Sequence, residues 1–263
     1  MDRENNFLPE EEDRPLTRSE KILQALIFFF CIAAALTFLL YVFYLRKEKQ
    51  EPSPPSYTQQ ELDYDASTSP AEDFHWTWNS DGTLTVSGYR GPGGAVVVPR
   101  QYKNAIVTAV EANAFLGHEE ITSLVLPETV QTLGENAFYE CTGLTRIQLP
   151  SQITEIPNGL CYKCTSLEQI PLPKSLIKIG TAAFSYCIQL KELTIPEGVV
   201  QIGKIAFLGS GLQTISLPDT LTVLESDLFR ECKDLETIRL PEKLEQIGTN
   251  VFADCTSLQT ISL

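Results

Sequence analysis

The chain has 263 residues, with 20 Lys+Arg against 34 Asp+Glu and a formal net charge of −14. This balance argues against a protein that binds the nucleic-acid backbone, because such a protein needs a net basic face. Only 2 histidines are present, which leaves few options for acid–base catalysis or metal binding. The 7 cysteines are numerous enough that their spacing has to be considered before their chemistry.

The first apolar segment covers residues 22–45 and follows a short tail, residues 1–21. It contains no charged residue, and a helix of this length reaches about 36 Å, enough to cross the hydrocarbon core with some tilt. A cleavable signal peptide is the alternative, but its apolar core has only about 7–15 residues. No convincing small-residue cleavage site follows the segment, so we predict an uncleaved, single transmembrane helix.

The charges that flank this helix give a small preference for a cytoplasmic N-terminus and an extracellular C-terminal region. The basic residues are Arg3, Arg14, Arg18 and Lys21 upstream, and Arg46, Lys47 and Lys49 downstream. The opposite insertion, with the C-terminal region facing the cytoplasm, stays open as an alternative. Residues 46–73 are rich in Pro, Ser, Gln and acidic side chains, which predicts a disordered linker.

The rest of the chain is periodic, and this period is its dominant feature. A proline preceded by an aliphatic residue recurs at intervals of 22 or 23 residues, at Pro127, Pro150, Pro173, Pro196, Pro218 and Pro241. Other columns keep the same phase: an aliphatic residue six positions later, often a glycine where we expect a tight turn, and then a Phe. The Phe column contains Phe115, Phe138, Phe184, Phe207, Phe229 and Phe252, with Cys161 in the third place.

Each unit contains one run with strand alternation, such as residues 144–150, in which Leu144, Ile147 and Leu149 point inward. No unit has a ten-residue amphipathic stretch, which argues against a helix in each repeat. A unit this short cannot close its own core, whereas stacked units can, by pairing equivalent strands in parallel. The sequence therefore predicts a β-rich solenoid of about seven repeats over residues 100–263. The Asp81-Gly82 turn predicts a β-hairpin cap over residues 74–99.

These columns resemble the BspA-type leucine-rich repeat, whose unit reads approximately L-x-x-I-x-L-P-x-x-L-x-x-I-G-x-x-A-F-x-x-C. The match is close in residues 190–210, "LKELTIPEGVVQIGKIAFLGS", and the resemblance covers about residues 74–263. It implies a leucine-rich-repeat fold and a bacterial cell-surface protein that binds other proteins. The periodicity by itself indicates only a solenoid.

The cysteines follow the repeat. Five share one column, at Cys141, Cys164, Cys187, Cys232 and Cys255, which indicates a buried packing position for a small apolar side chain. A disulfide between neighbouring turns is the alternative, because strand spacing falls within the range of Cα separations that a disulfide tolerates. Cys161 and Cys164 form a CxxC pair, but both occupy core columns, so we expect neither redox nor zinc chemistry there.

The outward strand positions form the candidate protein-binding strand face. Its residues are Thr145, Arg146, Gln148, Glu168, Gln169, Lys191, Glu192, Thr194, Gln213, Thr214, Glu236, Thr237 and Arg239. Extended solenoid faces commonly bind ligands, although this one could equally be an ordinary solvated surface. A candidate aromatic patch contains Tyr139, Tyr162 and Tyr186, whose rings have the alternative role of covering the Phe column.

No catalytic motif is present, so we expect a non-catalytic protein without metal or cofactor, bound to protein ligands and to the membrane through residues 22–45. The predicted function is protein binding at the cell surface, in adhesion or cell contact. The alternative is a cytoplasmic-facing scaffold or signalling component with the same repeat domain. The last repeat ends at Leu263 without a polar cap. This leaves two alternatives: the chain is a fragment, or this coil pairs with a partner or self-associates with a second copy.

Overall fold

The computed structural model describes residues 68–263. The predicted tail (1–21), transmembrane helix (22–45) and most of the linker (46–67) lie outside the described residues, so those predictions stay as they are. Among residues 68–263, no helix is long and apolar enough to span a membrane. The helical structure in this part of the chain is the short 3₁₀ helix η1, Ala71–Asp73.

The described residues form a solenoid in which short strands from successive turns stack on two sides. One side contains β2 (Leu84–Tyr89), β5 (Ala105–Val110), β7 (Thr132–Leu133), β9 (Glu155–Ile156), β10 (Lys178–Ile179), β11 (Gln201–Ile202), β13 (Val223–Leu224) and β15 (Gln246–Ile247). The second side contains β3 (Gly94–Val97), β6 (Ile121–Val125), β8 (Arg146–Gln148), β12 (Thr214–Ser216), β14 (Thr237–Arg239) and β16 (Thr260–Ser262). Two more strands, β1 (Phe74–Trp78) and β4 (Gln101–Tyr102), pair antiparallel at the N-terminal end.

Equivalent strands pair in parallel with a 22- or 23-residue offset, as the sequence predicts. For example, Ile147 of β8 lies beside Leu124 of β6, and Ile238 of β14 lies between Ile215 of β12 and Ile261 of β16. The leucine-rich-repeat solenoid is therefore confirmed.

The number of turns differs from the prediction: the solenoid has about eight turns, not seven. The hairpin of β1 and β2 is present, but β2 also pairs in parallel with β5, and β3 with β6. The segment predicted as a cap therefore supplies the first turn of the solenoid. Its proline, Pro99, stands 28 residues before Pro127, and no Phe stands 23 residues before Phe115, so the 23-residue pattern does not reveal it.

The core follows the predicted columns. Leu144 and Ile147 are fully buried and Leu149 is almost so, while Arg146 and Gln148 are half-buried on the outside. Phe207 stacks between Phe184 and Phe229, with ring centroids 5.9 and 5.3 Å apart. Because each turn places the same residue type beside its neighbour, the apolar side chains form one continuous cluster along the solenoid.

On a third side, each turn after the first has a five-residue corner segment that begins and ends with a left-handed residue. The corner segments are residues 113–117, 136–140, 159–163, 182–186, 205–209, 227–231 and 250–254, and both end residues of each have positive φ. In the second of them, the N–H groups of Asn136, Phe138 and Glu140 donate to the next turn at 3.0, 2.9 and 2.8 Å. Three such bonds join every pair of successive corner segments.

The glycine column has a different cause from the predicted tight turn. Gly134, Gly180, Gly203 and Gly248 do not have positive φ. They lie against the main chain of the preceding turn, where a Cβ on Gly203 would be 2.5 Å from the Thr181 nitrogen. Close approach of two backbones therefore selects glycine at this column.

The linker prediction was wrong for residues 68–73, which belong to the folded unit. The Ser69 N–H donates to the Val97 carbonyl at 3.0 Å, and the Val97 N–H donates to the Ser69 hydroxyl oxygen at 3.0 Å. The Trp76 indole N–H reaches the Ala71 carbonyl at 2.9 Å. These residues are polar in composition, but their backbone groups find partners on β3 and on the hairpin.

Candidate strand face and aromatic patch

The strand face has the predicted orientation. Arg146 lies in register with Ser123 and Gln169, while Thr214 lies in register with Glu192 and Thr237. Six residues of the face are exposed: Glu168, Glu192, Thr194, Gln213, Thr214 and Glu236. The other seven are half-buried: Thr145, Arg146, Gln148, Gln169, Lys191, Thr237 and Arg239. Polar side chains from successive turns thus form parallel rows on one side of the molecule.

Several cationic and hydroxyl side chains of this face are engaged within the molecule. Arg239 contacts both carboxylate oxygens of Asp219 at 3.1 Å, and the Thr145 hydroxyl donates to the Thr122 carbonyl at 2.9 Å. The side chains that remain for a partner are therefore mostly the exposed acids, Gln213 and the threonines of neighbouring turns.

Lys191 spans the shortened repeat. In that repeat the loop before the strand face contains one residue, Gly211. The same loop in the next turn contains two residues, Lys233 and Asp234. The Lys191 ammonium passes over it to the carboxylate of Asp234, two turns away, at 2.9 Å. It also donates to the Ile188 carbonyl at 3.2 Å. The 22-residue interval, visible in the sequence, is the signal that could have located this bridge.

Pro171 interrupts the strand face, and sequence reasoning missed its effect. It occupies the column of Gln148 and Thr194, and neither residues 168–172 nor residues 191–195 form a regular strand. Only isolated bridges, Arg146 to Gln169 and Glu192 to Thr214, mark these two turns. A proline outside the repeating proline column is the signal in the sequence.

The aromatic patch is brought together by the fold. The rings of Tyr139 and Tyr162 stack with centroids 4.7 Å apart, and Tyr186 meets Tyr162 edge-on at 5.9 Å. The Tyr186 ring lies over Gly209, where a Cβ would be 2.6 Å from the ring. All three tyrosines are half-buried, so they both cover the corner segments and present ring edges to solvent.

Charged groups flank this patch. The Lys163 ammonium pairs with Glu140 at 2.9 Å and lies 5.4 Å from the Tyr162 ring centroid. The hydrogen bond that Lys163 donates to Glu140 raises the pKa of Lys163, so this side chain stays cationic. Leu116, in the column of Tyr139 and Tyr162, adds an exposed apolar side chain at the same surface.

The cysteine column is a buried packing position, as predicted. Cys141, Cys161, Cys164, Cys187 and Cys232 are buried free thiols, and Cys255 is half-buried and free. The thiols of the column donate to main-chain carbonyls of the preceding turn, for example Cys164 to Phe138 at 3.0 Å. Burial raises the pKa of the Cys232 thiol to about 12. It also raises the pKa of Cys161, together with a hydrogen bond between this thiol and Cys164.

The CxxC pair lies inside the core, with both side chains fully buried. Within residues 68–263, no group of three or more His, Cys, Asp or Glu side chains is arranged to hold a metal ion. The histidines are apart: His118 contacts Glu120 at 2.6 Å, while His75 is exposed on β1. The surfaces described so far can therefore form hydrogen bonds and apolar contacts.

The last described turn has apolar side chains at its surface. Ile247, Ile261 and Leu263 are 53%, 52% and 78% exposed. Self-association through this turn, as predicted from the sequence, stays a prediction.

Comparison with known proteins agrees with the fold and the columns. The BspA type leucine rich repeat region matches in six copies, over residues 108–233 and 154–263, which is more than half of the chain. The chain belongs to this family. Repeats of the BspA type are generally protein-interaction repeats, and no enzyme family is indicated.

Solved structures of bacterial leucine-rich repeat proteins are similar. One, from T. pallidum, is 35% identical, with 73% of this chain and 91% of that chain covered and a TM-score of 0.70. Another, from Bacteroides ovatus, is 33% identical, with 76% and 53% covered and a TM-score of 0.69. A search of curated proteins finds no match.

Proposed function

We propose that this BspA-type repeat protein is a membrane-anchored, non-catalytic binding protein, displayed at the cell surface, that takes part in adhesion or cell contact. The observation that carries the binding role is the strand face, where exposed side chains of successive turns stand in register. A partner that contacts one row there meets polar side chains from several turns in the same orientation, because the turns repeat at strand spacing.

The aromatic patch supports the same proposal as a second contact. Tyrosines are enriched among residues that dominate binding energy, since each ring offers apolar area and a hydroxyl with little loss of side-chain freedom. The stack of Tyr139 on Tyr162 fixes both rings before a partner arrives. We expect the patch to anchor a partner through ring edges and hydroxyls, beside the Lys163–Glu140 pair.

Binding is tested with two variants of the full-length chain. The face variant replaces Glu168, Glu192, Gln213, Thr214 and Glu236 with alanine. The matched control replaces Thr154, Gln201, Thr222 and Glu245, which are exposed beside the other ladder of strands. We expect the face variant to lose most of its attachment to intact partner cells and the control to keep it. Equal attachment by both variants contradicts the assignment of the strand face.

The membrane anchor and the cell-surface location rest on residues 22–45 and their flanking charges. Protease treatment of intact cells tests the orientation: cleavage of the repeat domain from outside is expected for surface display. A domain that is protected in intact cells but cut after lysis favours the alternative, a cytoplasmic-facing scaffold, and overturns the surface proposal.

A further inference from the structure

The strand face is held by a repeating set of main-chain hydrogen bonds. The Leu126 N–H donates to the Gln148 carbonyl at 3.2 Å, and the Ile147 N–H donates to the Gln169 carbonyl at 3.2 Å. Near the other end, the Leu217 N–H donates to the Arg239 carbonyl at 3.0 Å. Bonds of this kind join the strand-face segments of successive turns.

Between residues 168–172 and 191–195 these bonds are missing. No main-chain hydrogen bond joins the two segments. The Glu168 N–H donates to the Thr145 carbonyl at 2.9 Å and the Gln213 N–H to the Lys191 carbonyl at 3.0 Å, but the equivalent bond from Lys191 to Glu168 is missing. Within the described residues, the two strand ladders of this face end on either side of the gap. The gap divides the eight stacked turns at their middle, with four on each side.

Pro171 lies beside the gap. In a parallel ladder, the residue at this position donates its N–H to the preceding turn, and proline has no N–H to donate, so one bond that would hold residues 168–172 to β8 is lost. Its ring also restricts the backbone of Ile170, which lies directly before it. Gln148 and Thr194, the equivalents of Pro171 in the neighbouring turns, carry no such restriction.

The same two turns remain joined on the other two sides. Gly159, Cys161 and Lys163 donate to the next corner segment at 2.8, 2.9 and 2.8 Å. On the remaining side β10 pairs with β11 through Lys178–Gln201 and Ile179–Ile202. The core is continuous as well, since Leu167, Ile170, Leu190 and Leu193 are all at most 8% exposed.

We propose that this gap is a hinge in the strand face, at which the two halves of the solenoid change their angle. Two bonded sides and a continuous core act as the pivot, and the unbonded side is where the spacing of the turns can vary. The carboxamide oxygen of Gln169 is buried there without a hydrogen-bond partner. This oxygen can therefore accept a hydrogen bond from water or from a ligand as the face bends.

Amide hydrogen exchange on the full-length chain in detergent tests the hinge without any ligand. Ile170 and Leu172 are expected to exchange at least about tenfold faster than Ile147, Ile215 and Ile238, because unbonded amides open without breaking the fold. Equal rates at the two sets overturn the proposal.

Discussion

The corner segments and the strand face belong to the same repeats, but their hydrogen bonds and side chains are not equally regular from turn to turn. Every junction between corner segments has three main-chain hydrogen bonds, and the Phe and Cys side chains beneath them are buried. On the strand face, the side chains vary in charge and size from turn to turn, and one junction lacks its bonds. The corner segments therefore stabilise the stack of turns, whereas the residues of the strand face can vary without loss of the fold.

The largest expected effect comes from the Phe column. Phe207→Ala removes a ring that stacks on both Phe184 and Phe229, and it should lower the free energy of unfolding by about 3–5 kcal/mol. Urea unfolding followed by circular dichroism measures this. Thr214→Ala, on the strand face, is the matched control, and a similar loss in both variants would remove the distinction between the two sides.

The glycine column should have the next largest effect. A Cβ on Gly203 would lie 2.5 Å from the Thr181 nitrogen, so Gly203→Ala forces two turns apart and should cost about 1–3 kcal/mol. Gly82→Ala is a useful comparison, since a Cβ there meets no atom within 4 Å and only its positive φ resists the change. Unfolding curves that show no loss for Gly203→Ala would contradict the close-approach explanation.

The buried thiols predict a loss of stability in alkali. Burial raises the pKa of Cys232 from its ordinary value of 9.0 to about 12 in the folded protein. Between these values the unfolded chain loses a proton that the folded chain keeps, so stability is intact below about pH 9 and falls as pH rises toward 12. The slope reaches about 1.4 kcal/mol per pH unit for one such thiol.

Comparison of wild type with Cys232→Ala isolates this effect. The variant should start with lower stability at pH 8, because the side chain contacts the core, but should lose less between pH 9 and pH 11. Parallel decline of both proteins, measured by urea unfolding at each pH, would show that this thiol is not responsible.

A smaller effect of opposite sign is expected at Ile205. It has φ of 49°, which is unfavourable for a β-branched residue, whereas Asn113, Asn136 and Asn250 fill the equivalent positions. Ile205→Asn should therefore raise the free energy of unfolding by about 1 kcal/mol. Asn136→Ile provides the reverse change and should lower it; stabilisation by both or by neither would refute the role of the left-handed backbone.

The smallest effect is expected on the exposed strand face. Thr214→Ala and Glu236→Ala should each change stability by less than about 0.5 kcal/mol, because neither side chain is buried. The same unfolding assay measures this, and a loss near that of Phe207→Ala would mean that these residues hold the fold together.

Much of the solenoid follows from sequence because its information is local and repeated. Leu144, Ile147 and Phe138 sit in columns whose spacing alone fixes the turn length and the inward side. The first turn could not be predicted in this way. Its strands β2 and β3 pair with β5 and β6 as in the other turns, but their residues do not follow the same repeating pattern. The folded state of Ser69 escapes as well, because its partner Val97 is distant in sequence.

The sequence predicts where the residues of the strand face lie, but it does not predict which of them form ion pairs within the molecule. The period indicates that Lys191 and Arg239 lie on one face, but not that Asp234 and Asp219 engage them across one or two turns. Those pairs depend on the deletion at Gly211 and on side-chain conformations that the repeat does not specify. Pro171 is visible in the sequence, but the loss of a whole row of hydrogen bonds is a cooperative result of the surrounding turns.

The most direct test of the account measures stability and binding on the same two proteins. One is Phe207→Ala, and the other is the face variant with alanine at Glu168, Glu192, Gln213, Thr214 and Glu236. We expect the face variant to unfold at nearly the same urea concentration as wild type but no longer to attach to partner cells. We expect Phe207→Ala to lose stability and, while folded, still to attach. A face variant that binds as wild type does would contradict the account.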